Sequence, residues 1–253
     1  MPFTPSHAAA VLPVLGRRSA RVVPVAWVAG SMAPDYPWFL TGGRGAGLTH
    51  TVLGIVTVDL LVGLVAVLAW RTVVLGALRD LLPLGVGTRL PVPVAVAPRQ
   101  WVWAAVGVVG GAATHVLWDA FTHAGRWGTR WVPLLHSRVG VLPGYKWAQY
   151  GSGVVGGVLV LLALGRAARR AVPRAAEPAR VDARQRALLA AVLVLLVSVV
   201  LVLVALDRRG GTPEVLLFGL VTRGGAAAGV GVLLACVGWW LLPVRTRAPD
   251  LLG

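Results

Sequence analysis

The chain is short of nearly everything a soluble protein uses to face water. Of its 253 residues only 13% are charged, nine of them acidic, and a single lysine, Lys146, stands among 24 basic side chains. A soluble domain carries about a quarter charged residues, so this composition excludes a freely soluble fold. One cysteine, Cys236, excludes an internal disulfide and leaves no Cys-x-x-Cys. No P-loop, dinucleotide fingerprint or G-x-S-x-G elbow occurs, and the glycine-rich G-G-R-G-A-G at 42–47 lacks the strand-to-helix setting of a phosphate cradle. Internal repeats and low-complexity tracts are missing too. The opening M-P-F-T-P-S-H has neither a charged n-region nor a long apolar stretch. No cleavable signal peptide is expected, and the first hydrophobic helix is expected to direct insertion.

What the chain does have is apolar length. Hydrophobic residues make up 57% of it, and the mean hydropathy is +0.78. Five segments are predicted to span a bilayer: Val52 to Trp70, Trp101 to about Phe121, Tyr150 to about Leu164, Ala187 to Leu206, and Gly224 to Leu242, the last interrupted upstream by Arg223. Before them, Ser6 is expected to cap a short helix running from His7 to about Leu15, broken at Gly16-Arg17-Arg18. Residues 21–33 form a second short apolar piece, read as a re-entrant or interfacial helix ended by Pro34. The expected architecture is therefore all-α, a polytopic transmembrane helical bundle of about five spans with short N-terminal interfacial or re-entrant helices. Residues 71–99 and 165–186 read as extramembrane loops, and 122–149 as a basic, aromatic connection. Small-residue pairs at Gly107/Gly111, Gly153/Gly157 and Gly225/Gly229 would let helices approach closely.

The formal net charge of +15 does not point to nucleic acid, because the arginines sit between apolar runs as interfacial anchors do. Seven arginines in 165–186 place that loop in the cytoplasm by the positive-inside rule, so the N-terminus is expected outside.

The informative stretch is A-A-T-H-V-L-W-D-A-F-T-H, residues 112–123. His115, Asp119 and His123 fall at i, i+4 and i+8, so one helix face carries two imidazoles and a carboxylate. Mixed nitrogen and carboxylate donors are ligand chemistry for zinc or another first-row divalent metal ion. Polar groups at the end of an apolar span are costly, which favours a functional reading over chance. Antiparallel spans bring His50, at the start of the first, to the rim where His115 ends the second. His7 and Asp35, upstream of the first span, belong to that rim as well. Asp59 lies nine residues beyond His50, nearly on the opposite helix face, and is expected to form a separate intramembrane polar contact. Arg126, Arg130 and Lys146 follow the stripe. They suit either a phosphate or plain interfacial anchoring beside Trp127, Trp131 and Trp147. His136 has no partner at a useful spacing and reads as a surface residue.

The segments M-P-F-T-P-S-H, G-S-M-A-P-D-Y-P, T-H-T-V-L-G with Asp59, A-T-H-V-L-W-D-A-F-T-H and Y-K-W-A-Q-Y-G-S-G resemble a bacterial integral-membrane family known as domain of unknown function 4184. The likeness covers residues 1 to about 165, followed by the basic loop 166–186 and C-terminal membrane helices in 187–253. More distantly, the same landmarks look like the bacterial membrane-bound, metal-dependent hydrolase family. That resemblance implies His7, Asp35, His50, His115 and Asp119 as ligands, with His123 as an extra imidazole. Tyr36-Pro37 stands where that family has a second Asp and a His, and Gly45 to Leu48 contain no histidine, so a single metal is the better fit. The resemblance further implies hydrolysis of a lipid or lipid-linked ester at the inner membrane, with Asp35 as base if it is not a ligand and with membrane lipids as partners. A non-catalytic bundle that holds a metal, or a small transporter, is the alternative.

Overall fold

The structure, a computed structural model, describes residues 4–16, 19, 21–92, 97–174, 180–207 and 210–242. The Arg17-Arg18 break falls outside the described residues, as does Glu177 of the basic loop. The longer helices are α1 (Pro24–Met32), α2 (Val52–Leu81), α3 (Pro98–Thr122), α4 (Gly144–Arg170), α5 (Ala183–Asp207) and α6 (Pro213–Leu241). Five of them, α2 to α6, are long and apolar enough to cross a membrane, which makes this a multi-pass membrane protein. Their outward faces carry exposed Leu and Val, as on α5 at Leu188, Val192, Leu195 and Val202. A lipid-facing helix needs nothing else, since its backbone is satisfied internally.

Three of the predicted spans have different limits. The first does not stop at Trp70 but continues to Leu81. Arg79 is tolerated near its end because its guanidinium reaches the Leu90 carbonyl as a donor, and Pro83 then forbids a further turn. The third starts at Gly144, well before Tyr150, and runs to Arg170. The fifth is continuous from Pro213, with Thr212 accepting from the Val215 N–H as its cap. Arg223 does not break it, because its guanidinium lies 3.4 Å from Asp207.

The chain forms two compact units, residues 1–68 with 95–169, and 69–94 with 170–253. In the first unit, short α1 packs along α3 around Val23, Ala26, Val67, Ala104 and Val108. Glycine makes this possible. A Cβ on Gly111 would lie 2.3 Å from the Trp27 carbonyl oxygen, and one on Gly30 would lie 2.1 Å from that of Val108. The other two small-residue pairs behave differently, since a Cβ on Gly157 or Gly229 would meet nothing within 4 Å. The N-terminal segment is a 3-10 helix, Thr4–Val11, already wound at Ser6, so Ser6 is not its cap. This segment rests on α4 at Gly156, where a Cβ would come within 2.8 Å of the Ser6 carbonyl oxygen.

In the second unit, Asp80 gathers the backbone N–H groups of Arg180 (2.9 Å) and Val181 (3.3 Å), the Arg186 guanidinium (3.1 Å) and the Trp239 indole (2.7 Å). Asp182 and Gln185 exchange backbone hydrogen bonds at the start of α5, a reciprocal capping box.

The glycine contacts set a paired expectation. Gly111→Val forces α1 off α3 and destabilises the protein by roughly 1–3 kcal/mol, in the range of core overpacking. Gly157→Ala changes stability by less than about 0.5 kcal/mol. Thermal unfolding in detergent distinguishes the two, and equal effects would mean that the α1–α3 approach is not the tight one.

Candidate metal centre

Four elements of the first unit meet at one point. A 3-10 turn after α1, Ala33–Asp35, delivers Asp35. A glycine-rich turn with positive φ at Gly42, Gly43 and Gly45 leads into the short helix Ala46–Thr49, at whose end sits His50. The last turns of α3 supply His115 and Asp119, and the N-terminal 3-10 helix supplies His7. Positive φ is what only glycine adopts without strain, so the turn discarded as a phosphate cradle has a positional task.

Asp35, His50, His115 and Asp119 are buried, and one ligand atom from each lies within 4.8 Å of all the others. His115 Nε2 is 3.2 Å from Asp35 Oδ1 and 3.6 Å from Asp119 Oδ2. His50 Nε2 is 3.2 Å from Asp119 Oδ2 and 3.7 Å from Asp35 Oδ1. Donors about 2.0–2.2 Å from a tetrahedral metal stand roughly 3.3–3.6 Å apart, by the geometry of such sites. The spacing fits.

The hydrogen bonds on the far sides of the rings sharpen this. His115 Nδ1 lies 2.8 Å from the Ser31 carbonyl oxygen, and His50 Nδ1 lies 2.9 Å from that of Ala46. A carbonyl only accepts, so each Nδ1 carries a proton and donates it. Thr49 Oγ1 donates in turn to the Pro34 carbonyl at 2.7 Å. In the neutral rings, both Nε2 atoms therefore turn lone pairs toward carboxylate oxygens. Asp35 Oδ1, Asp119 Oδ1 and His115 Nε2 have no aligned hydrogen-bond partner despite their burial. Lone pairs facing anions in a dry interior call for positive charge between them, and a divalent ion held there would balance two carboxylates with two neutral imidazoles. Second bonds from imidazole to backbone carbonyl are also how metal-ligating histidines are held.

The remaining predicted residues take different places. His7 stacks on His115 with ring centroids 3.8 Å apart, and its Nε2 is 3.6 Å from Asp119 Oδ1. Burial pushes His7 down to about 4, so its ring is neutral near pH 7. Asp35 Oδ2 accepts a 2.6 Å hydrogen bond from the Thr4 hydroxyl. His123 does not continue the stripe as a helical residue. The helix ends at Thr122, and His123 has extended backbone (φ −127°, ψ 139°). Its Nδ1 still lies 3.4 Å from Asp119 Oδ1. Its Nε2 accepts from the Gln149 amide at 2.8 Å, so Nδ1 is the protonated nitrogen and faces Asp119. His123 therefore supports a carboxylate, and neither of its nitrogens is open toward the four-residue centre.

Asp59 stays out of the four-residue centre, as expected, but makes no hydrogen bond among the described residues where a separate polar contact was expected. The helical count from His50 does not apply, because Thr51 is extended (φ −120°, ψ 163°) and Ile55–Asp59 winds as a π-helix. Fully buried, with neither carboxylate oxygen hydrogen-bonded, Asp59 lies within electrostatic reach of His50, His115 and Asp35. Arg126 and Arg130 stay on the connection after α3, and Lys146 lies in the first turn of α4. Arg130 donates to the Gly125 carbonyl, and Lys146 to the Tyr150 hydroxyl at 3.3 Å. Exposed His136 reaches the Thr129 carbonyl at 3.1 Å.

Residue-type reasoning missed Thr4, Ser31, Ala46 and Gln149. Ser31 and Ala46 act through backbone carbonyls, which no side-chain pattern reveals. Gln149 is buried in an otherwise interfacial Y-K-W-A-Q-Y run, and that polarity in a span was the available signal.

Elemental analysis of the purified protein is expected to find a single divalent ion per chain. His115→Ala and Asp119→Asn lose it, whereas Gln149→Ala keeps it. Metal content unchanged in all three would reduce the centre to an ionic cluster tying helices together.

The family model described as "Domain of unknown function (DUF4184)" matches residues 1–237. It reaches well past residue 165, where the recognisable motifs end. No curated protein and no solved structure matches the chain. Because the match takes in α1 to α5 and most of α6, with every residue of the buried His/Asp centre, the chain belongs to the DUF4184 family.

Proposed function

We propose that this protein is a membrane-embedded, metal-dependent hydrolase working at the bilayer rim on a lipid or lipid-linked ester, phosphoesters included. The observation that carries the reading is the set of converging Nε2 and carboxylate atoms of Asp35, His50, His115 and Asp119, with ligand spacing and unpaired buried oxygens. Zinc or another first-row divalent ion suits the mixed nitrogen and oxygen donors. Such an ion, when bound, supplies Lewis-acid polarisation of a scissile carbonyl or phosphoryl group.

The chain's own residues do the rest. Asp35 and Asp119 set the charge of the centre, and Ser31, Ala46 and Thr4 fix the orientation of its ligands. Asp35 acts as a ligand rather than a base, since Thr4 occupies its other oxygen. His7, 12% exposed at its side chain, is the member of the cluster nearest to solvent apart from His123. Arg126, Arg130 and Lys146 hold an anionic head group beside the centre; guanidinium does so bidentately and ammonium as a point charge. The positive-inside rule puts the centre on the extracytoplasmic side of a bacterial inner membrane.

One observation favours a second reading, a non-catalytic bundle that stores or is braced by the ion. Asp35 and His115 are 0% exposed, Asp119 2% and His50 7%, which leaves little room for a substrate.

The two readings separate in an assay of the metal-loaded protein against phospholipids, with released phosphate and fatty acid both measured. The hydrolase reading expects turnover that falls by more than roughly 100-fold in His115→Ala, beyond what loss of an outer hydrogen-bond partner costs. A retained ion without product from any lipid class would leave the storage reading.

A further inference from the structure

The connection between α3 and α4 is not a plain loop. Short helices Trp127–Trp131 and Pro133–His136 lead into a β-hairpin, Arg138–Val139 with Leu142–Pro143. Gly140 turns that hairpin with φ +63°, the position where a two-residue hairpin needs glycine. Trp147 at the start of α4 donates its indole N–H to the Val139 carbonyl at 2.9 Å, joining helix and hairpin. Between them lies a groove of about 430 Å³ lined by Leu134, Leu135, Val139, Gly140, Gly144 and Trp147. Every lining residue is apolar or glycine.

Three observations identify what fits there. The groove sits where one membrane span ends and the next begins, at the level where acyl chains meet head groups. The rim around it is apolar and uncovered, with Trp131 77%, Val141 75% and Leu134 66% exposed. The charge nearby has one sign. Residues 120–176 contain no Asp or Glu, while the Arg138 guanidinium lies 3.3 Å from the carbonyl oxygen of the groove residue Gly140. Gly144 is closed against the Leu134 carbonyl (2.1 Å from a built Cβ), so the groove floor is firm.

We infer that this groove is a specific site for an anionic phospholipid of the surrounding bilayer. One acyl chain lies along Leu134, Val139 and Trp147, and the phosphate rests on the Arg138 guanidinium. The site does not depend on the hydrolase reading. If that reading holds, the groove presents the lipid's head group at the rim that carries the His/Asp centre.

The test is native mass spectrometry of the full-length protein in detergent, titrated with phosphatidylglycerol and with phosphatidylcholine of the same acyl chains. The wild type is expected to retain a single phosphatidylglycerol roughly fivefold more tightly than phosphatidylcholine, given what one basic residue contributes near anionic lipid. Arg138→Gln removes that preference and leaves phosphatidylcholine retention unchanged. Val139→Trp fills the groove and lowers retention of both lipids. Metal content and melting temperature, measured alongside, stay at wild-type values in the charge variant, which keeps this site separate from the metal centre. Equal retention of the two lipids by the wild type, or unchanged retention in Val139→Trp with a normal melting temperature, overturns the proposal.

Discussion

Two carboxylates buried beside two imidazoles at the mouth of a helical bundle are the constraint on which the first unit depends. Removing a carboxylate from water costs several kcal/mol even after relaxation, and attraction repays it only with good geometry. Here Asp35 and Asp119 are almost completely covered, and one oxygen of each lacks an aligned hydrogen bond. The proton positions on His50 and His115 are fixed from behind by the carbonyls of Ala46 and Ser31. A divalent cation would meet all of these demands at once and would fasten together the segments that carry Asp35, His50, His115 and Asp119.

The packing around the centre follows from that demand. The Ser31 carbonyl reaches His115 only because α1 lies against α3 at backbone distance, over Gly30, Gly107 and Gly111. Thr4 reaches Asp35 only because the N-terminal 3-10 helix is seated on α4 at Gly156. In a bilayer, where apolar side chains gain little by choosing each other over lipid, such close glycine contacts supply much of the helix association. The first unit is thus glycine-packed to place polar atoms. The second unit has its own polar knot at Asp80, made of paired hydrogen bonds without converging free ligand atoms.

Much of this was legible in the residues. Long apolar runs announce spans, and His115 with Asp119 one helical turn apart announces a shared face. Antiparallel topology then brings His50 to the same rim. What stayed hidden has physical causes. Helix limits at Leu81, Gly144 and Pro213 depend on the partners that arginines find and on local caps, not on hydropathy. His123 obeys the i+8 spacing in sequence, but the helix stops at Thr122, so its role changes from ligand to support. Asp59 stays out of the four-residue centre, as its place beyond His50 implied, but the separate polar contact expected for it is not formed among the described residues. The orienting carbonyls of Ser31 and Ala46 are backbone atoms common to every residue, and only the fold selects them.

The most direct measurement is X-ray absorption at the edge of the metal carried by the purified protein, loaded with zinc. The account predicts an inner shell of imidazole nitrogen and carboxylate oxygen at about 2.0–2.2 Å, with no sulfur, and a zinc edge that disappears with the bound metal in His115→Ala. A shell of water oxygen alone, or a spectrum unchanged by His115→Ala, would contradict it.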